Sequence, residues 1–330
     1  MLNIIYAGSP DVAVIPLKKL VEISQTTGLF RIAGILTNPP SMQGRSKTPV
    51  PTAVGSAAEE IAASFGIYIP VLTPEKLNQD ARDAIQQLNP DLLACFAYGK
   101  IFGPKFMSLF KFGGINLHPS LLPKYRGCAP VPAAILNQET ITGVSVQKVA
   151  LQMYSGDILS QVEINLEGTE DSQSLLVKSA EIGANQIVDI VLKIAETQQI
   201  PEGKTQDESQ ASYCTMLRKE DGLIDWNRSA KEIDAQIRAF NPWPGAFTYF
   251  NGLSLKIQEA YATESADIPS DNAVNGQVIG TEKGKGIYIK TGDGFLCVQR
   301  LQLQAKKSVN WNEFINGSRN FCGAILGKQD

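Results

Sequence analysis

Asp91-Leu92-Leu93-Ala94-Cys95-Phe96-Ala97 is an apolar run without polar alternation, closed by the turn signal Tyr98-Gly99. A half-buried strand alternates and a buried helix runs longer, so this stretch predicts a strand covered on both faces. The flanking sequence agrees. Pro74 to Leu88 reads as a helix, Ile67 to Val71 as a strand and Thr52 to Phe65 as a helix. Phe30 to Thr37 is a strand stopped by Asn38-Pro39-Pro40, and Val12 to Glu22 is a helix with Pro16 in its first turn. Leu2 to Ala7 is an opening apolar strand that ends at Gly8-Ser9-Pro10. Strands and helices in alternation predict an α/β fold: a Rossmann-like, mostly parallel sheet with helices on both faces. Such sheets bind ligands beyond the carboxyl ends of their strands, here Gly8-Ser9-Pro10 and Ala97-Tyr98-Gly99. No G-x-G-x-x-G occurs, so a dinucleotide site is not supported.

Further on, Ile115 to His118 and Val144 to Ala150 read as strands and Ser172 to Glu196 as a long helix. Residues 201–210 are polar and aperiodic, as in a linker. After them come short β-like runs at 246–250, 253–260, 276–280, 286–290 and 294–303, separated by Asn-Gly, Lys-Gly and Gly-Asp-Gly turns. The expected organisation is a first domain over 1–200, a linker over 201–210 and a small C-terminal OB-like β-barrel over 211–330.

Composition restricts the function. The chain has 330 residues, 43% hydrophobic and 19% charged, which excludes disordered and fibrous classes. No run approaches the roughly 18 apolar residues of a membrane span. The opening residues carry no signal-peptide pattern, so a cytoplasmic protein without a membrane partner is expected. Five cysteines, an odd number with no C-x-x-C, argue against a disulfide framework or a zinc site. Net charge is −3, but residues 281–330 hold eight bases and four acids, a local +4 against −7 elsewhere. A basic C-terminal module suits a phosphate-bearing partner that touches one end, and equally suits a solvated surface. The single histidine, His118, must serve any step that needs an imidazole. It also makes a metal site improbable.

His118 sits in the densest cluster, Gly114-Ile115-Asn116-Leu117-His118-Pro119-Ser120-Leu121-Leu122-Pro123-Lys124-Tyr125-Arg126-Gly127. Asn116 and His118 are two apart on a strand and share a face. An amide donor beside an imidazole suits a developing oxyanion and a proton shuttle. The spacing equally fits a capped strand end with His118 merely hydrogen-bonded. The prolines and Gly127 leave Lys124 and Arg126 near the site.

The block HPSLLPKYRG resembles the signature of the folate-dependent formyltransferases. Ile5 to Pro10, Ala97-Tyr98-Gly99-Lys100-Ile101, Gly143 to Val146 and Ser155-Gly156-Asp157-Ile158-Leu159 are similar to further family segments. Ile224-Asp225-Trp226 and Arg238-Ala239-Phe240-Asn241-Pro242-Trp243-Pro244 resemble the branch that acts on initiator methionyl-tRNA. The resemblance implies formyl transfer from 10-formyltetrahydrofolate, as co-substrate and without a metal, to the α-amino group of the tRNA-bound methionine, by a monomer. It implies that Asn116 and protonated His118 are catalytic. It places folate near Ala97, Tyr98, Gly99, Ser120, Leu121, Leu122 and Pro123. It places tRNA near Arg45, Lys47, Lys124, Arg126, Lys306 and Lys307.

One position departs from the family. Where the resemblance implies a catalytic aspartate partnering the histidine, this chain has Tyr154. A phenol, with pKa near 10, lacks the charge that would raise a histidine's pKa. Asp157, three positions on, is the available carboxylate. The resemblance leaves as alternatives a sugar-nucleotide formyltransferase or a formyl-folate hydrolase, relatives that share the first domain, and Tyr154 adds a catalytically weak relative that binds folate or tRNA.

Overall fold

A computed structural model describes residues 1–42, 48–268, 272–318 and 320–327. The chain forms two compact units, each drawn from several segments. The first comprises Met1–Gly127, Ile141–Asn165 and Leu176–Cys214; the second comprises Cys128–Thr140, Leu166–Leu175 and Thr215–Asp330.

The first unit is built on strands β1 (Leu2–Ala7), β2 (Phe30–Leu36), β3 (Val71–Leu72), β4 (Leu92–Cys95), β5 (Gly114–His118), β6 (Ile141–Lys148) and β7 (Ile158–Asn165). Their order is β3-β2-β1-β4-β5-β6-β7. Neighbours from β3 to β5 are parallel, whereas β6 and β7 are antiparallel. Strand order reverses between β1 and β4, which brings the β1 and β4 carboxyl ends to a topological switch point. The unalternating residues of β1 and β4 are buried because both sheet faces are covered. Helices α1 (Val14–Thr27), α2 (Ala53–Phe65) and α3 (Gln79–Gln86) supply the connections. The Thr52 hydroxyl caps α2 by accepting from the Gly55 amide at 3.0 Å. Asn78 caps α3 through the Ala81 amide at 3.2 Å, so that helix starts later than Pro74. The strand expected from Ile67 shrinks to two residues, because Pro70 has no N–H for a ladder.

The second unit carries β8 (Ala246–Phe250), β9 (Leu253–Thr263), β10 (Val278–Glu282), β11 (Gly286–Lys290) and β12 (Phe295–Leu303), in antiparallel order β8-β9-β12-β11-β10. Asn251 and Gly252 turn β8 into β9 with φ of 49° and 71°, the left-handed pair of a tight hairpin. The core gathers Trp226, Ile233, Ile237, Leu255, Ile257, Leu296, Phe314 and Phe321. Helix α4 (Pro130–Leu136) packs on α6 (Ala230–Ala239), which starts at a Ser229–Glu232 capping box. A long helix, α5 (Ser172–Thr197), lies between them in sequence.

The units depart from a linear division at 200 and 211. Residues 201–210 join the first unit: Lys204 and Ile158 exchange backbone hydrogen bonds of 2.8 Å, and Gln206 is 7% exposed. Polar composition suggested a solvated linker, and most of these side chains are exposed. The backbone pairing and the buried Gln206, which is hydrogen-bonded to Arg126 and Gln147, tie the segment to the first unit. Among the described residues, no helix is long and apolar enough to cross a membrane.

Candidate active site at the end of strand five

On β5, Asn116 pairs with Gln147 of β6 and His118 with Ser145. Alternation puts all four side chains on one face. His118 is 3% exposed. Its Nε2 lies 2.8 Å from the Tyr125 carbonyl. A carbonyl only accepts, so Nε2 carries the hydrogen and Nδ1 is the acceptor of the neutral ring. The Tyr154 ring packs on the imidazole with centroids 4.7 Å apart and planes tilted by 47°.

Burial pushes His118 down to about 4, partly opposed by the hydrogen bond to Tyr125. The ring is therefore neutral near pH 7, which corrects the expected imidazolium. Its packing partner here is a phenol, and a phenol adds no negative charge. Stability follows from this. Between pH 6.5 and 4 the unfolded chain binds a proton that the folded chain refuses, so stability falls as pH falls across that window. Two to three pKa units correspond to about 3 kcal/mol, read as the difference between the native chain and His118→Gln in urea unfolding at pH 7 and pH 4.

The loop after β5 is fixed by hydroxyls. Ser120 Oγ donates to the Lys124 carbonyl at 2.6 Å, and Ser145 Oγ donates to the Ser120 carbonyl at 2.7 Å. Ser145 Oγ in turn accepts from the Leu122 amide at 3.1 Å and from Gln161 Nε2 at 2.8 Å. Tyr125 then takes a left-handed φ of 57°. Its amide donates to Ser212 Oγ at 2.9 Å, and Arg126 and Gly127 pair with Tyr213 and Cys214. The Tyr125 carbonyl is thereby held against His118.

Several expected contacts take other places. Arg126 is 0% exposed and donates to both Glu208 oxygens at 2.7 Å, so its guanidinium does not face a tRNA. A fork-shaped cation buried this deeply requires such a bidentate partner. Ser120 and Leu122 are buried, as His118 is, and Leu121 and Pro123 are half-buried. Asp157 accepts from Lys148 Nζ and Thr205 Oγ1, each at 3.2 Å. Lys148 follows Gln147 and therefore alternates to the other face of β6 from His118. Ala97 and Gly99 are exposed at the end of β4 with φ of 52° and 83°, while Tyr98 is buried. Asn38 Nδ2 ties this turn to the β1 end, donating to Ser9 Oγ at 3.0 Å and to the Tyr98 carbonyl at 2.9 Å. Lys124 is exposed in the first unit, and Lys306 and Lys307 are exposed in the second. Arg45 and Lys47 lie outside the described residues.

The Tyr154 segment is pressed onto β6. A Cβ on Gly156 would stand 1.9 Å from the Lys148 carbonyl oxygen. Backbone cannot yield as a flexible side chain does, so Gly156→Ala is expected to destabilise the protein by about 2 kcal/mol or more in urea unfolding.

Sequence reasoning missed Tyr125, Ser145, Gln147, Gln206 and Glu208. Gln147 and Ser145 were reachable, as same-face neighbours of Asn116 and His118 once β5 and β6 are paired. Gln206 and Glu208 carry no such signal, because their meeting with Arg126 spans about 80 residues.

Residues 4–191 match the family model described as Formyl transferase, and residues 216–319 match the model of the formyl transferase C-terminal domain. A methionyl-tRNA formyltransferase of Treponema denticola is 44% identical over 97% of this chain and 98% of its own length. One from Dictyoglomus thermophilum is 36% identical over 96% of this chain and 97% of its own. Among solved structures, the methionyl-tRNA formyltransferase from Clostridium thermocellum shares the fold over 81% of this chain and 96% of its own, with a TM-score of 0.54 and 17% identity.

Proposed function

The chain belongs to the formyl transferase family, and on that premise we propose that it moves a formyl group from 10-formyltetrahydrofolate to the α-amino group of methionine on initiator tRNA. The observation that carries this reading is the likeness to curated methionyl-tRNA formyltransferases through both units, 44% over 97% of the chain. Formyl-folate supplies the activated one-carbon unit: the new C–N bond to the amine forms as the bond to N10 breaks. Asn116 donates to the formyl oxygen where negative charge develops, an interaction typically worth about 3–4 kcal/mol in the transition state. His118 accepts the amine proton at Nδ1 while Nε2–H stays on the Tyr125 carbonyl, then returns that proton toward N10. Folate binds along the exposed backbone of Ala97 and Gly99 and along Leu121 and Pro123. The tRNA acceptor end meets Lys124, and with it Arg45 and Lys47; phosphates meet Lys306 and Lys307. A cytoplasmic location and action as a monomer belong to the same proposal.

The test is formyl transfer to charged initiator tRNA, run beside an amino-sugar nucleotide and beside formyl-folate alone. Product on the tRNA only supports the reading. Product on the sugar, or free formate only, replaces it with one of the other two activities. A slow but tRNA-specific product marks the weak relative that Tyr154 suggests.

Phosphate contacts release counterions, so tRNA affinity should fall with salt. The paired reversal Lys306→Glu with Lys307→Glu should weaken tRNA binding by about 10-fold or more and flatten the salt dependence by about two contacts. Filter binding from low to high salt measures both. Removing everything after residue 210 is a poorer test, because Ser212 and Cys214, which anchor Tyr125 and Arg126, would go with it.

A further inference from the structure

Gln206 has five polar partners around one buried amide, and the two hydrogens of its Nε2 are shared among three acceptors. Its Oε1 accepts from Arg126 Nε at 3.1 Å and Nη2 at 2.8 Å. Its Nε2 donates to Gln147 Oε1 at 3.1 Å, the Tyr154 carbonyl at 2.8 Å and the Gly156 carbonyl at 2.7 Å. The amide orientation is forced by chemistry, because a guanidinium only donates and a backbone carbonyl only accepts. Glutamate would set an anion against two carbonyls, asparagine would be a methylene short, and an apolar residue would strand Arg126.

The partners of this amide are the supports of the candidate active site. Arg126 follows Tyr125, whose carbonyl receives His118 Nε2–H. Tyr154 lays its ring on the imidazole. Gln147 stands opposite Asn116 in the β5–β6 register. On the far side, Glu208 and the Tyr213 hydroxyl, 2.7 Å and 3.1 Å from Arg126 Nη1, complete the guanidinium. We propose that Gln206 is a positioning residue: it sets the orientation and solvent shielding of His118 by joining the Tyr125–Arg126 turn to the Tyr154 loop. This rests on the reading of His118 as the proton-transfer group.

The ionisable groups around the imidazole are few. Tyr154 faces it from the loop after β6. Cys214 directs its thiol at the Tyr125 and Arg126 carbonyls, 3.6 Å and 3.4 Å away. The Arg126–Glu208 pair and Tyr213 lie behind the turn, Lys124 stands at its exposed tip, and the Lys148–Asp157 pair lies beyond β6. None of these changes identity when Gln206 is replaced by a neutral residue, so a shift in His118 reports position and hydration.

The lone histidine makes the test direct. Full-length Gln206→Met, close to isosteric and uncharged, is labelled with 15N-histidine, and the single imidazole is titrated by NMR beside the native chain. The expected result is an upward move of the His118 midpoint by about one unit or more, as the Tyr154 loop loosens and water enters. With it comes a fall in kcat of about 10-fold or more at near-unchanged KM for formyl-folate, with a shifted pH–rate profile. A folded Gln206→Met protein with the native titration and kcat within about twofold would overturn the proposal, even with a lowered Tm. If that variant does not fold, Gln206→Asn, which is neutral and a methylene short, is read by the same titration and the same kcat criterion. Failure of the native chain to formylate charged tRNA would instead remove the functional reading, while the titration would still decide whether Gln206 positions His118.

Discussion

His118→Ala lowers kcat by about 100-fold or more, the usual scale for a general acid–base group. The chain holds no second imidazole to substitute. The aromatic packed on the imidazole, Tyr154, offers a phenol, and phenols as a class are poor bases at neutral pH. The fold should survive, because His118 makes its side-chain hydrogen bond to a loop carbonyl and the core clusters assemble elsewhere. Initial rates at saturating formyl-folate and charged tRNA measure the loss, and added imidazole should restore part of it. Turnover within a fewfold of the native chain would show that proton transfer runs through another group or through water.

Tyr154→Asp raises kcat by about 10-fold or more. As built, a phenol covers a buried neutral ring whose pKa is pushed down to about 4, and an imidazole that acidic is a weak acceptor for an amine proton. A carboxylate at the same position favours the protonated form, and the lost ring admits water; both raise the histidine's pKa. The backbone already suits the change, since Tyr154 sits at φ 63°, a left-handed region that aspartate tolerates better than an aromatic residue. Removing a histidine's carboxylate partner costs up to about 10⁴-fold in the serine-protease triad, so tenfold is a restrained expectation for restoring one. Steady-state rates of both proteins from pH 6 to 9 on the same tRNA test it. If the tyrosine form is already as fast, the working carboxylate lies elsewhere. Asp157→Asn, which removes the negative charge and one of the two acceptor oxygens facing Lys148 and Thr205, would then abolish activity.

Much of the scaffold was legible. The apolar runs at 2–7, 246–250 and 286–290 became strands at those bounds, because unalternating or turn-delimited β-rich segments leave few other packings. The Asn116–His118 pair was legible for the same reason: strand periodicity alone puts both on one face. β7 was not, since its only buried member is Ile164 and an exposed edge strand carries no apolar pattern. The protonation of His118 was misread, because charge depends on burial that only the packed loop reveals. Arg126 was misread as a surface cation for a like reason. A sequence shows that an arginine is present but not that Glu208 and Gln206 arrive to bury it.

The segmented second unit bears on how the chain folds as it is made. Helix α4, with Pro130, Val131, Ala134 and Ile135 on its buried side, packs on α6. α6 is translated roughly 100 residues later, a wait of about 5–20 s at ordinary elongation rates. During that interval the nascent chain displays an apolar helix whose docking surface does not yet exist. Ribosomes stalled near residue 200 should therefore present α4 to protease and to holdase chaperones, and ribosomes stalled well past residue 303, with β12 outside the exit tunnel, should not.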